Sequence, residues 1–142
     1  MPRFLADSSI WAWATKPERP DIRAKLAERY ERGGVVTCAP VILETMHRAR
    51  TGAEYVRLYD ELFGPLERLP MDSHVAERAL TVQRQLSRAS DGNHRRPPQD
   101  FLIAAIAEAA GDVVLWAFDR DLRVIAEHTG QPHESEDHRK AR

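Results

Sequence analysis

A chain of 142 residues is the length of one domain and long enough to bury a real core. Its 21 basic residues against 22 acidic ones leave a net charge of −1, so no broad field draws it to nucleic acid and local charge has to carry any such interaction. One cysteine excludes an intramolecular disulfide, and no apolar run nears the ~20 residues that span a bilayer, so the chain reads as cytoplasmic with no membrane partner.

Phe4-Leu5-Ala6 is a short apolar run ending at Asp7, and Ser8 to Ala14 suits a short helix. Asp21 to Arg32 carries Ile22, Leu26 and Tyr30 on one stripe and stops at Gly33-Gly34, which predicts a second helix. Val35-Val36-Thr37 reads as a strand, and Cys38 beyond it as a small buried side chain. Val41 to Arg50 and Gly52 to Phe63 are read as a helical hairpin, the second arm bearing Tyr55, Leu58, Tyr59, Leu62 and Phe63 at helical spacing. After the break at Gly64-Pro65, Leu66 to Leu69 is expected to form a third strand. Asp72 or Ser73 then caps a long helix whose buried stripe is Val75, Ala79, Val82 and Leu86.

The polar stretch Ser90 to Pro98 is a loop by composition, delivering the chain to Asp100 and to Phe101-Leu102-Ile103-Ala104-Ala105-Ile106, a central helix that is apolar nearly all round. Val113 to Phe118 is a continuous apolar run of the kind buried on both faces of a parallel sheet, and Asp119 to His128 suits a last helix. From Gln131 the chain is polar and aperiodic and is expected to fray, with a weak signal for an edge strand at Pro132 to Glu134. The alternation of strands and helices predicts an α/β fold, a three-layer α/β/α sandwich with a mainly parallel central sheet.

In such sheets ligands gather outside the carboxyl ends of the strands. Asp7 and Asp119 end strands there, while Glu44, after Pro40, and Asp100, after Pro97-Pro98, fall near expected helix starts. Each acid alone is accounted for by capping or by the helix dipole. Four like charges on one edge, however, would repel and call for a cation, and hard carboxylate oxygens point to Mg2+, with Mn2+ as a substitute.

Competing chemistries lack their residues. No glycine-rich loop follows the first strand, no serine sits in a Gly-x-Ser-x-Gly elbow, and the histidines show no zinc spacing with cysteine. An aspartyl-phosphatase pair is missing after the first strand, although Asp119-Arg120-Asp121 has that spacing later. A phosphoacceptor receiver would need a lysine late in the sheet, and Lys16, Lys25 and Lys140 are the only lysines.

The chain resembles the PIN domains, and among them the VapC toxins of bacterial toxin–antitoxin pairs. The resemblance lies in Leu5-Ala6-Asp7-Ser8-Ser9-Ile10-Trp11, in Pro40-Val41-Ile42-Leu43-Glu44, in the block from His94 to Ala105 around Asp100, and in Phe118-Asp119-Arg120-Asp121-Leu122. It covers about residues 3 to 128 and implies a PIN domain at 1–130 followed by a polar tail at 131–142. Leu122 stands where the family often has an aromatic, and Ala117-Phe118 are apolar where a polar residue often precedes the fourth acid.

That resemblance implies a Mg2+-dependent endoribonuclease toxin in which Asp7, Glu44, Asp100 and Asp119 are catalytic and hold the metal, with Asp121 sharing or replacing Asp119. It also implies an RNA substrate, a cognate VapB-type antitoxin and a homodimer. Ser9 is placed either to support a ligand carboxylate or to cap a helix. His94-Arg95-Arg96 are candidates for gripping phosphates, and His47 and Arg48 weaker ones, the other reading being a solvated surface. Trp11 and Trp13 are read as core or interface before base stacking. Residues 41 to 63 are where an antitoxin or second subunit is expected, core packing being the competing account of their apolar stripe. The rival function is a PIN-like module that binds RNA or protein without cutting.

Overall fold

The structure is a computed structural model and describes residues 2–118 and 120–138. Its centre is a parallel sheet of β1 (Arg3–Ala6), β2 (Val35–Val36), β3 (Val113–Ala117) and β4 (His133–Ser135), in the order β2-β1-β3-β4. Register sets Phe4 beside Val35 and Val114, Ala6 beside Trp116, and Trp116 beside Glu134. The apolar run of β3 follows from this position: its strand is central, and Leu115 and Trp116, which point to opposite faces, are both buried.

Among the described residues, seven α-helices complete three layers: α1 (Ser8–Ala14), α2 (Pro20–Glu31), α3 (Ala39–Met46), α4 (Gly52–Leu58), α5 (Ser73–Ala89), α6 (Pro98–Ala110) and α7 (Arg120–Thr129). On α5 the stripe Val75, Ala79, Val82 and Leu86 is buried, and Asp72 caps the helix by accepting a hydrogen bond from Val75 N at 3.0 Å. Apolar nearly all round, α6 packs against α5, α7, β3 and α3. It ends at Gly111, whose φ of 84° is one that a side chain would resist.

Four details depart from the sequence reading. Leu66 to Leu69 makes only a single parallel bridge, Thr37 with Arg68, because Pro65 and Pro70 close in on a segment too short to extend it. The arm Gly52 to Phe63 is α-helical only to Leu58; Tyr59–Phe63 widens into a π turn ended by Gly64 N donating to Tyr59 O. No tight hairpin forms with α3, which packs on α1 and α6. The polar stretch from Gln131 does not fray up to Glu136: its edge strand is β4, and Gln131 and Glu136 are buried.

Ion pairs hold β4 in place. On α2, Arg29 forms a bidentate pair with Glu134 and lies over the rings of Phe4 and Trp116, 3.7 and 4.4 Å from their centres. One turn earlier, Lys25 meets Glu136, which also accepts from Trp116 Nε1 at 3.3 Å. Arg19, buried although charged, pairs with Asp21 and donates to Asp137 O.

Candidate functional site

At the carboxyl edge of the sheet β1 hands over directly to α1. Asp7 N donates to Trp116 O of the neighbouring strand at 2.9 Å, and the Asp7 carboxylate caps α1 by accepting from Ser9 N at 3.2 Å. Ser9 Oγ also donates to Asp7 Oδ2 at 2.8 Å while accepting from Phe118 N at 3.0 Å. Of the two roles expected of Ser9, capping falls to Asp7 instead, while Ser9 fixes the Asp7 carboxylate and ties it to the end of β3.

Only 3% of Asp7 is exposed, and its other oxygen, Oδ1, is buried with no hydrogen-bond partner among the described residues. Burial pushes this carboxyl up to about 6, the Ser9 and Ser8 bonds oppose that shift, and the charge of Glu44 adds to it. Cys38, the cap residue of α3, is likewise pushed up to about 12 by burial, with a smaller push from the charge of Asp7, so it stays a neutral thiol. The start of α3 therefore flanks Asp7. Glu44 lies further into α3 than Pro40 suggested, in its second turn, and is exposed.

Asp100 is buried in the first turn of α6, its backbone N donating to Pro97 O at 3.0 Å. Asp119 lies outside the described residues. Asp121 is paired with Arg96 Nη1 at 2.6 Å, and Arg96 also donates to Asn93 O at 3.0 Å and to Asn93 Oδ1 at 2.6 Å. This pair joins the loop before Asp100 to the start of α7, and no local pattern announces it, because its partners are remote in sequence. Arg96 is thereby committed to the protein, while Arg95 is exposed. His47 caps the end of α3, exposed with Arg48. Trp11 is core: its Nε1 donates to Ala6 O, and its ring meets Tyr30 and Phe63 edge-on. Trp13 is half-buried.

Among the described residues no three His, Cys, Asp or Glu side chains come together closely enough to hold a metal. The chemistry of those present nonetheless fits a hard cation: a buried carboxylate with an oxygen lacking a partner, another acid's charge acting on it, and Asp100 buried at a helix start.

A family model described as PIN domain matches residues 4–128. Ribonuclease VapC18 of Mycobacterium tuberculosis (strain ATCC 25618 / H37Rv) is 34% identical over 132 residues, covering 92% of this chain and 93% of that protein. Ribonuclease VapC2 of Mycobacterium tuberculosis (strain CDC 1551 / Oshkosh) is 37% identical over 141 residues, 96% of this chain and 94% of that one. In fold the chain is similar to DNA-bound VapBC from Salmonella typhimurium, with a TM-score of 0.73 at 19% identity over 95% of this chain and 98% of that one. It belongs to the PIN-domain family, and within it to the VapC group.

Proposed function

We propose that this chain is the toxin of a toxin–antitoxin pair, a Mg2+-dependent endoribonuclease in which Asp7, Glu44, Asp100 and Asp119 hold the cation, with Mn2+ able to replace it. The observation that carries the reading is Asp7: a fixed, buried carboxylate with one oxygen unpartnered among the described residues, at the sheet edge where Glu44's charge acts on it. Leaving a charge in that state is costly unless a cation or proton relieves it. Relatives that match nearly the whole chain carry the name ribonuclease, and VapBC complexes share its fold.

When bound, a divalent ion supplies a Lewis acid for the phosphodiester and a lowered pKa for a bound water. The protein's own part is positional. Ser9 holds Asp7 Oδ2 and leaves the buried Oδ1 without a hydrogen-bond partner among the described residues, and Asp100 is set by the first turn of α6. Asp121 is assigned to Arg96, which neutralises it and anchors the first turn of α7 beside Asp119. Partners are an RNA substrate, a VapB-type antitoxin and a second copy of the chain. No helix among the described residues is long and apolar enough to cross a membrane.

The test is cleavage of structured RNA by antitoxin-free protein in Mg2+ or EDTA, beside Asp7→Asn and Asp100→Asn. Cleavage in Mg2+ by the parent alone supports the reading. Cleavage that survives EDTA or both substitutions refutes it, and RNA binding with no cleavage favours a non-catalytic module.

A further inference from the structure

Beside the acidic edge stands an aromatic ridge that the proposed chemistry does not use. Trp13 lies less than two turns along α1 from Asp7. Its ring stacks on Phe118, 5.2 Å between centres and 27° between planes, and His138 closes the trio at 5.3 Å from Trp13 and 5.1 Å from Phe118. Phe118 itself is buried, with the Arg19 guanidinium 5.0 Å from its ring centre, so the surface of the ridge is the half-buried Trp13 and the exposed His138. Phe118 is the residue whose N–H is held by Ser9, so ridge and carboxylate share one support.

Two clefts meet at this ridge, and His138 lines both. One, of about 410 Å3, runs along Phe118 and is edged by Arg120 and Arg123; the other, of about 470 Å3, contains Trp13 and Lys16, whose Nζ sits 4.1 Å above the indole. Both fall in the size range of small-ligand pockets, roughly 300 to 1,000 Å3. Arg120 has no acidic partner among the described residues, and Arg123 reaches Glu127 only at 3.9 Å. Of the acids on the walls, Glu136 is neutralised by Lys25, while Asp137 lies on one rim and Glu18 on the other.

Aromatic rings with flanking free cations are how single-stranded nucleic acid is gripped without reading its sequence: bases stack on the rings and phosphates meet the cations. We propose that Trp13 and His138, backed by the buried Phe118, form the shelf on which a single-stranded RNA base stacks next to the phosphate to be cut, with Lys16, Arg120 and Arg123 holding the flanking phosphates. This rests on the ribonuclease reading of the neighbouring acids. It also gives the cleavage a preference for unpaired RNA, because a paired base cannot reach the shelf.

The experiment measures binding apart from cleavage. A short labelled single-stranded RNA is titrated into antitoxin-free protein in EDTA, following anisotropy and tryptophan emission; Trp11 and Trp116 are buried, so quenching by a stacked base reports Trp13. Trp13→Leu and His138→Ala are expected to weaken binding about 10-fold or more, with quenching lost in Trp13→Leu. The pair Arg120→Ala/Arg123→Ala should lower the salt slope by about 1.4. Arg84→Ala, on α5, removes an exposed charge elsewhere and serves as the control, and thermal melts confirm that each variant is folded. In Mg2+ the shelf variants should raise KM more than they lower kcat. Shelf variants that bind like Arg84→Ala overturn the proposal, as do variants that lose an antitoxin while keeping RNA. Shelf-dependent binding without cleavage by the parent refutes the nuclease and leaves the shelf; cleavage with parental KM in the shelf variants does the reverse.

Discussion

Ser9 Oγ stands between Asp7 and Phe118, donating to the carboxylate at 2.8 Å and accepting the backbone N–H at 3.0 Å. One hydroxyl thus fastens the end of β3 to the residue that begins α1. Ser9→Ala removes both bonds and leaves the Asp7 charge less satisfied. A stability loss of about 1–3 kcal/mol is expected in urea unfolding at neutral pH. Cleavage should fall about 10- to 100-fold, the range for losing a residue that orients a metal ligand. Parental activity and stability together would contradict this role.

Burial raises the Asp7 carboxyl to about 6 from an ordinary 3.8, so the folded chain takes up this proton more readily than the unfolded one. Its contribution to stability is fully present below about pH 4 and is lost as pH rises through about 6, a difference of about 3 kcal/mol. In EDTA, the stability of the parent relative to Asp7→Asn should therefore fall by about that amount between pH 4 and 7.5. At neutral pH the variant should be the more stable protein while cutting no RNA, the trade expected of a site kept for function. A difference that does not change with pH would show that the carboxyl titrates normally.

The Arg96–Asp121 pair yields a separable prediction. Asp121→Asn should leave Mg2+-dependent cleavage within a few-fold of the parent, whereas Asp119→Asn should abolish it. A double-mutant cycle with Arg96→Ala should show coupling of about 1 kcal/mol in unfolding experiments. Additive losses, or equal damage from the two aspartate substitutions, would return Asp121 to the metal site.

The clamp on β4 is testable by charge removal. Lys25→Ala leaves the buried Glu136 with the Trp116 indole as its remaining side-chain hydrogen-bond partner among the described residues, at a cost of about 2 kcal/mol, which is a fall of about 6 °C in Tm. Adding Glu136→Gln should recover much of it, because the uncompensated charge goes with it. No recovery would mean that the Lys25 stem, rather than its charge, holds the strand.

That clamp also shows where the sequence stops being legible. Asp72 with its stripe on α5, the run of β3 and the break at Gly111 are local patterns, and they appear where periodicity and capping put them. β4 has no apolar alternation, since as an edge strand it keeps its place through Arg29 and Lys25, residues remote in sequence. Likewise the acids could be nominated one by one, but not the burial of Asp7 or the capture of Asp121 by Arg96, which exist only after folding. Trp13 and Trp11 read alike as sequence; only packing made one a core residue and the other half of a ridge.

The proposed chemistry requires the edge around Asp7 to bind a divalent cation. Mn2+ titrated into antitoxin-free, RNA-free protein and followed by electron paramagnetic resonance reads this without reference to catalysis. Stoichiometric binding to the parent is expected, competed by Mg2+ and weakened about 10-fold or more in Asp7→Asn and Asp100→Asn. Equal Mn2+ affinity in parent and variants, or none in the parent, would contradict it.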